Sequence, residues 1–150
     1  MIDETPPQLR FTFSITALVP DVNDFIPLEN RSSEVLEFIP ILGGTVSGDI
    51  SGTVMPGGGD WCLTRSDDAY QVEARYLITT SHGDVIDVVN VGVLRHLELD
   101  GTGPDMGYFL TTPRFRTTAA DMQWLTRSVF VGRAQSLPGK TIIDVFEVLK

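Results

Sequence analysis

Seven of the chain's fourteen glycines fall between Gly43 and Tyr76, in the run GGTVSGDISGTVMPGGGDWCLTRSDDAYQVEARY. Glycine reaches backbone angles closed to other residues and carries no side chain to pack. Inside strand-like sequence it therefore marks bulges, corners and tight turns. The segments between these glycines are short and β-type, and the run ends in an alternating strand that finishes Glu73-Ala74-Arg75-Tyr76. Short strands bent and joined by glycine turns describe an all-β chain, and closing the sheet into a barrel removes the open edges such strands would leave.

The rest of the chain agrees. Leu9 to Leu18 places Leu9, Phe11, Phe13, Ile15 and Ala17 on one face and Arg10, Thr12, Ser14 and Thr16 on the other, the period of a half-buried strand. Pro20 to Asn30 reads as a loop and Glu34 to Leu42 as a strand stopped by Gly43-Gly44. Thr45 to Met55 bends at Gly48 and Gly52, and Trp61 to Arg65 is a short strand. Tyr70 to Thr79 and Val85 to Val91 flank a turn at Ser81-His82-Gly83-Asp84. Leu94 to Gly107 is irregular, with Gly101, Gly103 and Pro104, and loops of that length are often functional. Tyr108 to Thr112 is a strand, which Pro113 is expected to end. Thr118 to Met122 suits one helical turn. Gln123 to Gly132 and Thr141 to Leu149 are the last strands, the latter entered by a turn at Leu137-Pro138-Gly139-Lys140. The sum is a single domain over 1–150, with a flexible segment over 1–8 and about nine or ten short strands.

Composition narrows the function classes. The formal net charge is -9, the wrong sign for a phosphate backbone. No stretch reaches the ~20 apolar residues of a membrane-spanning helix, and the N-terminus lacks the basic start and apolar middle of a signal peptide. A soluble cytoplasmic protein is the expectation. Cys62 is the single cysteine, so no internal disulfide forms. Nothing nearby would activate it as a nucleophile, and it reads as a small strand hydrophobe.

Candidate motifs mostly reduce to structure. Gly139-Lys140-Thr141 resembles the tail of a phosphate loop, but Ala134 stands where that loop needs glycine. His82 and His96 are the only histidines and lie on different loops, so no histidine-rich metal centre is expected. No serine sits in a Gly-x-Ser-x-Gly elbow. The informative pair is Glu73 and Arg75, which share a strand face opposite Tyr70, Val72, Ala74, Tyr76 and Ile78. Either that polar face meets water, or it lines a part-polar cavity. Asn90 ends a hydrophobic strand and needs partners if buried. Trp61 and Trp124 suit either core or pocket wall.

A string of ordered motifs over Phe38 to Val148 carries a resemblance. It runs GGTVSG, PGGGDW, VEARY, then G-x-x-I-x-V-x-N-x-G ending at Gly92, and on through TTPRF, WL-x-R, FVG and IIDVFEV. The chain thereby resembles a family of small bacterial and fungal proteins known as a domain of unknown function. The resemblance implies a lipocalin-like (calycin-like) antiparallel barrel, and some fungal relatives work in natural-product pathways as cofactor-free cyclases or isomerases. It highlights Asp60, Trp61, Arg75, Asn90, Thr112, Arg114, Phe115 and Trp124. Cys62, Leu110 and Thr126 depart from the glutamine, arginine and asparagine common at those positions.

The function expected from these readings is a small-molecule barrel acting, without a cofactor or metal, as an isomerase or cyclase on a phenolic or polyketide-like compound. Asp60 or Glu73 would be the general base. Arg75, with Arg114, would stabilise an oxyanion. Tyr108 and Asn90 would orient the substrate, Trp61 and Trp124 would stack on its ring, and Thr112 would join the binding set. The expected partner is a small hydrophobic or aromatic molecule, not nucleic acid or a membrane. The alternatives are a non-catalytic carrier barrel and an interaction module that forms homo-oligomers through β edges.

Overall fold

The computed structural model describes residues 2–95 and 107–150. Eleven strands form one antiparallel sheet: β1 (Gln8–Leu18), β2 (Ile26–Asn30), β3 (Val35–Ile41), β4 (Gly43–Gly48), β5 (Gly52–Val54), β6 (Gly58–Thr64), β7 (Ala69–Thr80), β8 (Val85–Arg95), β9 (Tyr108–Thr117), β10 (Phe130–Leu137) and β11 (Lys140–Leu149). The order β7-β5-β4-β1-β11-β10-β9-β8 closes through β7–β8 pairing into an eight-stranded barrel. The expected lipocalin-like barrel is the fold, with one or two more strands than the nine or ten anticipated.

The additional strands hang from one edge. β7 pairs with β5 through Ile78 to Thr80 and with β6 through Tyr70 to Arg75. β6, β3 and β2 thus extend the sheet beyond the barrel beside the N-terminal half of β7. β2 lies inside the stretch expected to be a loop. Pro27 hid it, yet β2 is an edge strand with every residue exposed, where a missing N–H removes no obligatory ladder bond. β3 passes into β4 across a corner at Gly43-Gly44, both at φ +144. A Cβ on Gly44 would stand 1.9 Å from the Thr16 carbonyl oxygen, so this corner demands glycine.

Two expectations near the C-terminal half change. β9 runs straight through Pro113, which pairs with Asn90 of β8. Only the other ladder stops, since β9 meets β10 at Thr111↔Gly132 and Leu110↔Arg133 alone. A proline lacks one donor and so interrupts one side of a strand. The helical turn expected over Thr118 to Met122 is the 3-10 turn Ala120–Met122, whereas the strand expected from Gln123 to Gly132 starts late: one helix, α1 (Trp124–Arg127), comes first and β10 begins at Phe130. The Gln123 amide donates to the carbonyls of Thr117 and Ala119, each at 2.9 Å, and ties the turn down. α1 packs against β9. Of the irregular stretch expected over Leu94–Gly107, residues 96–106, His96 among them, lie outside the described residues.

Apolar side chains fill one end of the interior. Phe13 tilts against Phe115 (ring centroids 5.6 Å), Phe115 meets Phe130 edge-on (5.3 Å), and Phe130 meets Trp124 (5.9 Å). Ile78, Ile86, Val88, Leu125 and Val145 pack with them. Elsewhere in the interior, polar side chains, among them Asp60, Asn90 and Thr111, face inward between apolar ones such as Ile41, Phe109 and Ile143.

Candidate active site

The inward face of β7 carries Val72, Ala74, Tyr76 and Ile78, and its outward face carries Gln71, Glu73, Arg75 and Leu77, as the burial alternation shows. Of the two readings open for this strand, the placement of Glu73 and Arg75 follows the one in which they face outward. The Arg75 side chain is 64% exposed and pairs with Asp87 of β8 at 3.6 Å on the outer wall. Glu73 is also exposed, and only its backbone N–H reaches inward, donating to Asp60 Oδ1 at 2.9 Å.

Register then assembles the interior. Asp60 of β6 pairs with Ala74 of β7, and Ala74 pairs with Asn90 of β8. Residues in one cross-strand row point to the same face, so Asp60 and Asn90 flank a small alanine. One row away lie Val72, Gly92, Thr111, Gly132 and Val145, paired in sequence across five strands. Thr111 therefore stands between two glycines. A Cβ on Gly132 would come within 2.2 Å of Thr111 Oγ1, and one on Gly92 within 2.6 Å of Thr111 Cγ2. These glycines leave the space that Thr111 fills.

Asp60, Tyr76, Asn90 and Thr111 line one internal cavity of about 50 Å³. Tyr76, Asn90 and Thr111 are each no more than 5% exposed. Tyr76 Oη, Asn90 Oδ1 and Thr111 Oγ1 are the buried side-chain polar atoms without a hydrogen-bond partner among the described residues. Buried polar groups are nearly always paired, because each left unpaired costs about 1–3 kcal/mol. Three such atoms converging on one cavity are therefore a functional signal. The volume suits one or two waters, or the oxygenated end of a larger molecule. The wall is otherwise apolar, with Val72, Phe109 and Ile143 among its residues.

Asp60 is the carboxylate among the residues that line this cavity. Burial pushes its carboxyl up to about 6, opposed by the Glu73 N–H and reinforced by the Glu73 carboxylate. Burial, with Asp60 nearby, also raises the Tyr76 phenol, which stays a neutral donor. Burial holds the Cys62 thiol at about 12, with Asp60 and Glu37 adding to the rise; the thiol is inert at neutral pH. Among the described residues no cluster of three or more His, Cys, Asp or Glu is placed to hold a metal ion.

The remaining expected residues are not in this cavity. Trp61 and Tyr108, together with Glu73 and Thr112, border an outer groove of about 870 Å³ floored by Leu63, Val91, Val93 and Leu110. There the Arg95 guanidinium lies over the Tyr108 ring at 4.2 Å. Thr112 and Arg114 border a second outer groove beside α1. Trp124 lies at the filled end, against Phe130. The structure thus brings together Asp60 and Asn90 of the expected set and adds Tyr76 and Thr111. In the sequence Tyr76 reads as a core-face residue whose hydroxyl leaves no mark of its own, and TTPRF offers two adjacent threonines, of which Thr112, the expected one, is exposed and Thr111 is buried. The cue for the inward one is its register opposite Gly92, two residues beyond Asn90.

Residues 7–148 match a protein family described as "Protein of unknown function (DUF3237)". A UPF0311 protein of Rhodopseudomonas palustris is 37% identical over 151 residues, covering 95% of this chain and 97% of the relative. The crystal structure of a conserved protein of unknown function from the same organism superposes with TM-score 0.87 at 36% identity, covering 97% of this chain and 99% of the other. A beta-barrel like protein of Acinetobacter baumannii superposes with TM-score 0.85 at 25% identity, over 99% of both chains. The crystal structure of an enzyme from Penicillium herquei shares the fold, with TM-score 0.77 at 20% identity over 99% of this chain and 98% of that one.

Proposed function

Since the chain belongs to the DUF3237 family, whose description assigns no activity, its function has to be read from its own cavity, and we propose that it is a small-molecule enzyme of the isomerase or cyclase type. The reaction is a proton transfer coupled to isomerisation, addition or ring closure on a phenolic or polyketide-like compound. The observation that carries this reading is the convergence of the unpartnered Tyr76, Asn90 and Thr111 side chains on the cavity that holds Asp60. That a protein of the same fold from Penicillium herquei is described as an enzyme is consistent with it.

The roles follow from the chemistry of each group. Asp60, with its carboxyl near 6, is ionised at neutral pH and close enough to it to work as base and then as acid. It takes a proton from a hydroxyl or an activated C–H of the ligand. The charge then develops on a ligand oxygen, where the Tyr76 and Thr111 hydroxyls can donate. The Asn90 oxygen accepts from a ligand hydroxyl and fixes orientation. Asp60 returns the proton to another ligand atom, so no electrons leave or enter and no cofactor is required by the balance.

The test is turnover of phenolic and polyketide-like compounds, followed by mass spectrometry and chiral chromatography. Asp60→Asn should lower kcat by about 100-fold or more, the usual share of a general base. Thr111→Val should lower it less. A compound turned over equally well by Asp60→Asn would overturn the assignment. Saturable binding of such compounds without turnover would favour the carrier reading.

A further inference from the structure

Among the described residues, Asp60 is the one charged group lining the cavity, and no Lys, Arg or His lines it. Arg75, which lies between the lining residues Ala74 and Tyr76, pairs with Asp87 outside the wall. We propose that the cavity selects its ligand by charge: it admits the uncharged form of a weakly acidic hydroxyl or hydroxy-carbonyl compound and excludes carboxylates and phosphates. This rests on the reading of the cavity as the ligand site, and it names the ligand class that site takes.

Charge has to be conserved in a confined space. An ionised Asp60 gives the cavity one negative charge. An anionic ligand would add a second, beside neutral donors only, and two like charges sharing a low-dielectric site are strongly disfavoured. A neutral hydroxyl adds none. When its proton passes to Asp60, one O–H bond breaks and another forms, and the single negative charge moves from the carboxylate to the ligand oxygen. Tyr76 and Thr111 can donate to the oxygen that receives it. The total stays at one throughout, which explains a site that stabilises an oxyanion without a cation.

The surroundings of Asp60 reinforce the exclusion. On β7 it faces the Tyr76 phenol and the Glu73 N–H, with the Glu73 carboxylate beyond. On its own strand stands the Cys62 thiol, whose cross-strand partner on β3 is Glu37. Every ionised neighbour in that set is an acid. The selection should therefore relax only when Asp60 itself takes up a proton, below about pH 6.

The test compares phenol with benzoate, which share a ring and differ in charge at pH 8. Binding is read from the side-chain amide signal of Asn90 in 15N-labelled protein, with wild type and Asp60→Asn. Phenol should shift that signal in wild type at pH 8, and benzoate should bind about tenfold more weakly or worse, the factor of one pKa unit. Asp60→Asn should bring benzoate up to the level of phenol, and lowering the pH of wild type toward 5 should do so in part. If benzoate matches phenol in wild type at pH 8 while moving the Asn90 signal, charge selection fails and the cavity stands. If neither compound moves that signal in either protein, the cavity is not the ligand site and both readings fall.

Discussion

At the scale of single residues, the burial that suits Asp60 to its proposed role also makes stability depend on pH. Its folded carboxyl, near 6, lies above the ordinary value of 3.8. The folded chain therefore holds a proton that the unfolded chain has released between about pH 4 and 6. Stability falls as pH rises through that window, and the full penalty is present above it. A rise of two units corresponds to about 3 kcal/mol at most. Asp60→Asn keeps an oxygen for the Glu73 N–H and removes the charge. It should stabilise the protein by about 2 kcal/mol at pH 8 and by nothing at pH 4, read as Tm across pH. A variant less stable than wild type at pH 8 would show that the carboxylate is better satisfied than its burial implies. The sequence could name Asp60 and Asn90 because both follow recognisable motifs. It could not separate Thr111 from Thr112, since adjacent strand residues differ only in the face they take. Arg75 stands out in the sequence by its place in VEARY, but strand parity sends it outward with Leu77.

At the scale of elements, β9 shows how packing is set by what is missing from its neighbours. Thr111 occupies the space left by Gly92 and Gly132. Gly132→Ala would drive a methyl into Thr111 Oγ1 at 2.2 Å and against Ile143 Cγ2 at 3.0 Å. Strand backbone on both sides prevents easy escape, so the variant should lose about 2 kcal/mol, a usual overpacking cost. Adding Thr111→Ala should recover most of it, because the clashing side chain is gone. Urea unfolding of both single variants and the double variant checks this as a cycle. Strictly additive losses would mean that Gly132 acts through its own backbone rather than through Thr111. The strands of this region were legible in alternation and in β-branched composition. Their partners were not: the β9–β10 ladder ends after Thr111, and α1 takes the place expected for a strand because Gln123 bonds back to Thr117 and Ala119.

At the scale of the whole molecule, the barrel pairs β1 with β11, the first strand with the last. Alternation and glycine corners announced a barrel, but such distant pairing leaves no local mark in the sequence. Nor does any local pattern show where inside the barrel a cavity is left. One end is filled by Phe13, Phe115, Phe130 and Leu125; the other keeps Tyr76, Asn90 and Thr111 unpartnered around the cavity. If this division is right, stability and binding should separate on mutation. Leu125→Ala removes a side chain 2% exposed from the filled end and should cost about 2–5 kcal/mol. It should leave phenol affinity unchanged wherever the variant is folded. Thr111→Val trades an unpartnered buried hydroxyl for a methyl of the same shape. It should hold or raise Tm, by up to about 1 kcal/mol of stability, while weakening phenol binding. A protein in which every stabilising change in the cavity also improves binding would have one continuous core and no division of labour. Opposite signs for the two ends would mean that the unpaired polar atoms are kept for the ligand, at the expense of the fold.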